Sequence, residues 1–280
     1  MKVAVSGASG FVGRHVVAEL ERLDLSPTLW VRPCSVVPER WTRHRVVRID
    51  ILRPPDQLWE LLGRPEVLIH LAWGGLPNYF SLHHFENELP AHYRILKRLV
   101  REGLPRLLVA GTCFEYGHQS GSLSEGLATS PDNPYGLAKE MLRRQLHHLQ
   151  SELPFALTWA RLFYLHGDGQ SPNALLPQLR AAVARGELRF PMSGGEQLRD
   201  YLDAADAARH LARLAATLGG HGTVNVCSGQ PISVRRLVEL WIEANGWTIQ
   251  PELGRYAYPS HEPMAFWGDD SKLRRCLELA

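Results

Sequence analysis

The 280-residue sequence predicts an α/β fold, a doubly wound parallel sheet joined to a smaller C-terminal region. Three observations carry this expectation. Strand-like and helix-like segments alternate through Leu165. Three glycines separate the first strand from the first helix. Beyond Leu165 the alternation yields to Gly- and Pro-rich stretches such as "HGDGQSPN" and "RFPMSGGEQ". Regular alternation of the two periods is the pattern of a parallel sheet covered on both faces.

In order, "KVAVSG" reads as a buried strand, and "FVGRHVVAELERL" spaces its apolar residues at helical intervals. "SPTLWVR" and "HRVVRIDI" are strands, "PPDQLWELLG" a helix and "EVLIHLAW" a strand. "FENELPAHYRILKRLVREG" is a long helix ending at Gly103, which Pro90 must bend or restart. "LPRLLVAG" is the next strand, "PYGLAKEMLRRQLHHLQSEL" a helix and "FALTWARLFY" a strand. Helices ("ALLPQLRAAVARG", "DAADAARHLARLAATL") and a short strand ("GTVNVCSG") then mix irregularly. The expected division is a dinucleotide-binding unit of 1–164 and 204–228, with a substrate-binding region of 165–203 and 229–280.

With 45% hydrophobic and 21% charged residues, the chain has the composition of a soluble globular protein with a sizeable core. A net charge of +2 without a basic stripe or stacking aromatics argues against nucleic-acid binding. No run approaches a membrane span. The chain moves straight into a strand, so a cytoplasmic protein without a leader is expected. Cys34, Cys113, Cys227 and Cys276 fit no metal or redox spacing, so neither a metal site nor structural disulfides are expected.

"SGASGFVG" places Gly7, Gly10 and Gly13 between strand and helix. Such spacing permits a tight turn, backbone close to a pyrophosphate, and a helix N-terminus offering free N–H groups. A dinucleotide-binding Rossmann fold follows. Where NAD sites carry an acid for the adenosine 2′-hydroxyl, the second strand ends in Arg32 with Ser35 nearby, which suits a 2′-phosphate. NADP is therefore favoured over NAD. Asp50, ending the third strand, is placed to meet the adenine.

Tyr135 and Lys139 in "PYGLAK" share one helix face. An ammonium beside a phenol is expected to lower the tyrosine pKa, making Tyr135 a proton donor or acceptor at a carbonyl or alcohol.

Together with "GASGFVG", "IHLAW", "GTCFEYG", "ARLFYLHG" and "LRDYLDAADAARHL", this motif makes the chain resemble the extended short-chain dehydrogenases/reductases that act on nucleotide sugars. The resemblance spans nearly the whole chain. It implies a catalytic set of Thr112, Tyr135 and Lys139, with the Thr112 hydroxyl holding the substrate oxygen that Tyr135 protonates. Implied cofactor contacts are Gly7, Ser9, Gly10, Phe11, Val12 and Gly13, then Arg32, Asp50, Ile51, Leu71, Ala72 and Leu162, with Tyr135 and Lys139. Implied substrate contacts are Asn78, Thr112, Cys113, Tyr135, Asn173 and Arg199, the last anchoring a diphosphate. Tyr79 is a further hydroxyl ligand, and Tyr116 is expected in a loop against cofactor or sugar. Cys113 also suits a small buried hydrophobe. Glu115 receives no role, His83 and His84 read as solvated, and His166 as part of a loop with auxiliary-base chemistry as the alternative.

The family's 4,6-dehydratases follow the threonine with Asp-Glu, whereas Cys113 and Phe114 stand here, so dehydration is disfavoured. "LAWGGLPNY" and "MSGGEQLRDYL" are similar to the short reductases of dTDP-4-keto-6-deoxyhexoses, the group forming dTDP-6-deoxy-L-talose. The resemblance implies NAD(P)-dependent C4 ketoreduction and a homodimer formed through the helices at 85–102 and 134–152. An epimerase that keeps NAD bound, and a non-catalytic dinucleotide-binding protein, are the alternatives.

Overall fold

The computed structural model describes residues 1–258 and 262–278. In chain order its strands are β1 (Val3–Ser6), β2 (Thr28–Val31), β3 (Val46–Arg48), β4 (Val67–His70), β5 (Arg106–Thr112), β6 (Gly121–Leu123) and β7 (Ala156–Leu162). There follow β8 (Tyr164–His166), β9 (Arg189–Pro191), β10 (Leu198–Asp203), β11 (Gly222–Val226), β12 (Pro231–Ser233), β13 (Gln250–Glu252) and β14 (Phe266–Gly268). The α-helices are α1 (Phe11–Arg22), α2 (Leu58–Leu61), α3 (Leu89–Arg101), α4 (Pro134–Leu149), α5 (Leu175–Ala184), α6 (Ala204–Ala216), α7 (Val234–Asn245) and α8 (Ser271–Glu278).

Among the described residues, seven parallel strands form the main sheet in the order β11-β7-β5-β4-β1-β2-β3. Alternation along each strand divides the core between its two faces. Val3 and Val5 join Val16, Val17 and Leu20 of α1 and Leu211 of α6 on one side. Ala4 and Leu68 join Ile95 and Leu99 of α3 and Leu142 and Leu146 of α4 on the other. The doubly wound sheet is thus the predicted one. A separate apolar cluster of Leu179, Phe190, Met192, Val238 and Ile242 forms under the later segments.

Three segments depart from expectation. "FALTWARLFY" is not one strand: β7 stops at Leu162, Phe163 turns into a buried cluster with Cys113, Tyr116 and Phe266, and β8 pairs instead with β10. "PPDQLWELLG" is helical only over Leu58–Leu61, because the prolines and the left-handed Gln57 (φ 58°) hold its first half out of the helix. The long helix before Gly103 begins as a π-helical turn, His84–Glu88, and continues as α3 with Pro90 in its first turn. Glu88 and Leu89 before it are already helical, so Pro90 marks the change from π-helical to α-helical turns rather than a break in the helix.

Asp200 ties the smaller sheets to the main one. Fully buried on β10, it accepts hydrogen bonds from Ser228 N (2.7 Å), Ser228 Oγ (2.8 Å), Gly229 N (2.9 Å) and Gly268 N (3.3 Å). Replacing it with alanine strands three amides in a dry interior. Asp200→Ala is therefore expected to destabilise the protein by about 2–4 kcal/mol, read by urea unfolding.

Candidate active site

The glycine loop follows β1. Gly7 has φ +70°, and a Cβ there would approach Ala72 N to 2.8 Å, so the loop lies directly against the chain leaving β4. A Cβ at Gly13 would collide with the Gly7 carbonyl, which is the close helix–strand packing the motif predicts. Gly10 differs: within 4 Å its Cβ would meet only Gly7 O, at 3.1 Å. Gly10 is also the N-cap of α1, with no side-chain cap and no acid in the first turn, so the amides of Phe11, Val12 and Gly13 present a positive end. This open, uncapped cradle fits a dinucleotide pyrophosphate. Ser9 Oγ bonds Ser35 Oγ (3.1 Å), Arg32 is exposed at the end of β2, and Arg48 Nη1 donates to the carbonyls of Pro33 (2.9 Å) and Ser35 (2.8 Å). Asp50 accepts from Leu52 N (3.0 Å), making a turn that includes Ile51. Leu71 N bonds Ser6 O, and Leu162 is half-buried at the end of β7.

Thr112 ends β5 and caps the short 3-10 turn Cys113–Tyr116. Its Oγ1 accepts from Phe114 N (3.3 Å), while the Glu115 side chain returns to Thr112 N (2.9 Å), a capping box. Glu115 is fully buried and also accepts from Trp159 Nε1 (2.9 Å) and Arg161 Nε (2.7 Å). Burial pushes its carboxyl up, and the Arg161 guanidinium and these donors oppose that push. Glu115 thus has a role that sequence reasoning missed: it sets the turn that aims Thr112. The Thr-x-x-Glu spacing carries that signal. A charged Arg161 within an apolar strand is the second sign of a buried pair.

Tyr116 requires a correction. It is not at the cofactor or the cleft: it is fully buried, donates to Asn225 Oδ1 (2.8 Å), and its ring lies 4.5 Å from the Arg161 guanidinium carbon. Cys113 lies in the apolar cluster with Phe163, Cys227 and Phe266, and burial keeps its thiol protonated.

Tyr135 and Lys139 lie in the first two turns of α4, which Asn133 caps through Gly136 N (2.9 Å). Tyr135 is buried, its amide donates to Tyr79 O (3.1 Å), and the Thr112 side chain is near enough to oppose the upward push of burial on its phenol. The structure therefore brings Thr112, Tyr135 and Lys139 together. It does not support the expected lowering of the phenol by lysine. Burial pushes Tyr135 up, and Tyr79, Glu115 and Cys113 add to the effect. The reason lies in Lys139. Burial brings the amine down to about 7, and its Nζ donates to Ala110 O (2.9 Å) and lies 4.0 Å from the Trp73 ring centre. The amine is thus engaged by the Ala110 carbonyl and the Trp73 face, which leaves burial to dominate the phenol.

The Trp73–Tyr79 segment closes one side. Tyr79 packs on Tyr135 (5.5 Å between rings) and Phe114 (4.9 Å), while Asn78 is exposed. His84, expected in solvent, is fully buried: Trp73 Nε1 donates to its Nδ1 (3.1 Å), and its Nε2 donates to Asn78 O (2.7 Å). These two partners fix the neutral Nε2–H tautomer.

On the far side a cleft of about 310 Å³ is lined by Tyr164, Phe190, Gln197, Arg199, Tyr256 and Glu262. Arg199 is buried against Phe266, with its guanidinium carbon 4.6 Å from the ring centre, and donates to Glu262 Oε2 (2.9 Å) and Leu198 O (2.9 Å). Glu262 also accepts from Tyr164 OH (2.9 Å). Asn173 is exposed in the turn before α5, where its carbonyl accepts from Gln178 (2.7 Å), a residue of the cleft lining. His166 is part of β8 rather than a loop, 3.7 Å from Asp203 and packed on Trp241.

Residues 3–227 match the NAD dependent epimerase/dehydratase family. The chain belongs to it. A relative of this family, dTDP-6-deoxy-L-talose 4-dehydrogenase (NAD(+)) of Aggregatibacter actinomycetemcomitans, is 29% identical over 96% of this chain and 99% of its own length. UDP-glucose 4-epimerase of Neisseria meningitidis serogroup C is 25% identical over 90% of this chain and 85% of its own. Among solved structures, MoeE5 in complex with UDP-glucuronic acid and NAD has a TM-score of 0.83 at 26% identity, covering 99% of this chain and 93% of that one. The chain is thus of an NAD-dependent nucleotide-sugar epimerase/dehydrogenase type. Among the described residues no helix is long and apolar enough to cross a membrane.

Two consequences follow for this epimerase-family site. Glu115→Ala leaves the Arg161 guanidinium buried without its principal partner, and a loss of about 3–5 kcal/mol is expected by chemical denaturation. Between pH about 7 and 10.5 the unfolded chain binds a proton at Lys139 that the folded chain does not, so stability rises with pH through that window. Lys139→Met should flatten this slope in cofactor-free protein, read from urea unfolding at pH about 7.5 and about 9.5.

Proposed function

We propose that the protein reduces the C4 keto group of a dTDP-4-keto-6-deoxyhexose, giving a dTDP-6-deoxy-L-talose type of product for deoxysugar biosynthesis. The observation that carries this reading is the grouping of Tyr135 with Thr112 and Lys139 on the cofactor side of the sheet, which supplies a proton donor at a sugar oxygen as ketone reduction requires. Similarity along nearly the full length of a 4-dehydrogenase supports the same reading.

When bound, the dinucleotide supplies hydride chemistry. The chain's own residues do the rest. Thr112 holds the carbonyl oxygen and Tyr135 protonates it, while Lys139 meets the nicotinamide ribose. Arg199 takes the diphosphate, and that remote anchoring orients the ketone for reaction. Gly7 through Gly13 cradle the pyrophosphate, and Leu71, Ala72 and Leu162 line the nicotinamide end. Asn78, Cys113 and Asn173 complete the proposed substrate contacts. The acid-free loop with Arg32 and Ser35 favours NADPH, with NADH as the competing donor, since the Aggregatibacter relative carries NAD(+) in its name. We place 1–164 and 204–228 in the cofactor unit, with a cytoplasmic homodimer formed through 85–102 and 134–152.

The second reading, an epimerase with resident NAD, is favoured by the relatives named as UDP-glucose 4-epimerases. Purified protein mixed with dTDP-4-keto-6-deoxy-L-mannose and either NADPH or NADH separates the two. Loss of reduced-nicotinamide absorbance with a 6-deoxyhexose product supports the reductase. A changed sugar without net oxidation of cofactor supports the epimerase. Tyr135→Phe is expected to lower turnover by about a hundredfold or more while sparing cofactor binding. An active Phe variant would refute the assignment.

A further inference from the structure

A buried polar chain starts beneath the glycine loop and has no part in the reading above. Ser6 Oγ lies 2.7 Å from His70 Nδ1, His70 Nε2 lies 2.7 Å from His92 Nδ1, and His92 Nε2 lies 3.0 Å from Glu88 Oε2. Ser6, His70 and His92 are fully buried, and Glu88 nearly so. Burial works against the charge of Glu88, yet hydrogen bonds from His92, Gly74 and His83 bring its pKa down to about 2. The carboxylate end fixes the direction of every bond. His92 donates from Nε2 and, as a neutral ring, accepts at Nδ1 from His70, which in turn accepts the Ser6 hydroxyl. Burial pushes both imidazoles down, which agrees with neutral rings.

The same carboxylate takes the amide of Gly74 (2.7 Å), and a Cβ there would lie 2.9 Å from Glu88 Cδ, so only glycine admits this approach. Trp73, the preceding residue, stacks on His92 at 4.5 Å and 21°. Its ring bears the Lys139 ammonium, 4.0 Å from the ring centre. We propose that Glu88 is a positioning residue for Lys139: by anchoring Gly74 and His92 it fixes the indole on which the ammonium rests, and its charge balances that ammonium.

Lys139 is influenced from every side: by Tyr135 on its own helix, Glu115 in the turn after β5, Glu88 at the start of α3, and the rings of His70, His84 and His92. Of these, Glu115 and Glu88 favour the charged amine against burial. The catalytic consequence rests on the role proposed for Lys139; the effect on the amine does not.

Glu88→Gln separates charge from geometry. A glutamine oxygen still accepts from Gly74 and His92, its amide faces His83 Nε2, and the charge is gone. The test is the pH titration of Lys139 in the full-length protein, read by NMR of its 13C-labelled lysine side chains. In E88Q the midpoint is expected to fall by about one pH unit below that of wild type. Trp73→Leu, which removes the cation–π face, should lower it as well. An unchanged midpoint in E88Q overturns the proposal; if E88Q does not fold, an unchanged midpoint in W73L does so. A lowered midpoint with unaltered turnover upholds the role of Glu88 and refutes that of Lys139.

Discussion

The Glu115 carboxylate, neutralised by Arg161 inside the protein, is the contact through which the floor of the candidate site is assembled. It joins the end of β5, through the Thr112 amide, to the middle of β7, through Trp159 and Arg161. Arg161 Nη2 lies 3.6 Å from Glu140 of α4, so the helix bearing Tyr135 and Lys139 is drawn into the same network. Two charges in a dry interior are costly unless their remaining hydrogen-bonding capacity is met. Here the indole and the backbone amide meet it for the acid. The hydroxyl of Thr112 is consequently aimed by a rigid turn between two core strands.

Much of the fold was legible because the strongest signals were local. Three glycines after an apolar strand, and Tyr135 four residues before Lys139, announce themselves by spacing. The parallel sheet with helices on both faces follows from the alternation of strand and helix periods. What escaped notice depends on long-range contacts. Tyr116 looks like a loop tyrosine until Asn225 of β11, more than a hundred residues away, takes its hydroxyl. His84 looks solvated until Trp73 and Asn78 close over it. The inverted shift of Tyr135 is of this kind as well, since spacing puts lysine and phenol on one face but says nothing of the carbonyl or indole that engages the amine first.

The two sides of the site manage charge differently. On the α3 side, neutral imidazoles lead to a single deep carboxylate, and the amine opposite is kept weakly basic by burial. On the cleft side, Arg199 is already paired with Glu262 and covered by Phe266. An anionic ligand reaching Arg199 therefore meets a guanidinium whose geometry is set beforehand, with a carboxylate beside it that discriminates against poorly placed negative charge.

Asp200 has a bearing on how such proteins diversify. Its four hydrogen bonds reach the turn after β11 and the last strand, β14, from a residue adjacent to Arg199. Segments far apart in the chain are thereby committed to one another. A recombinant that exchanged only the stretch around Arg199 for that of a relative would break this correspondence unless Ser228, Gly229 and Gly268 travelled with it. Exchange of substrate preference by grafting is thus constrained to several pieces moved at once, whereas single substitutions along the cleft wall leave the joint untouched.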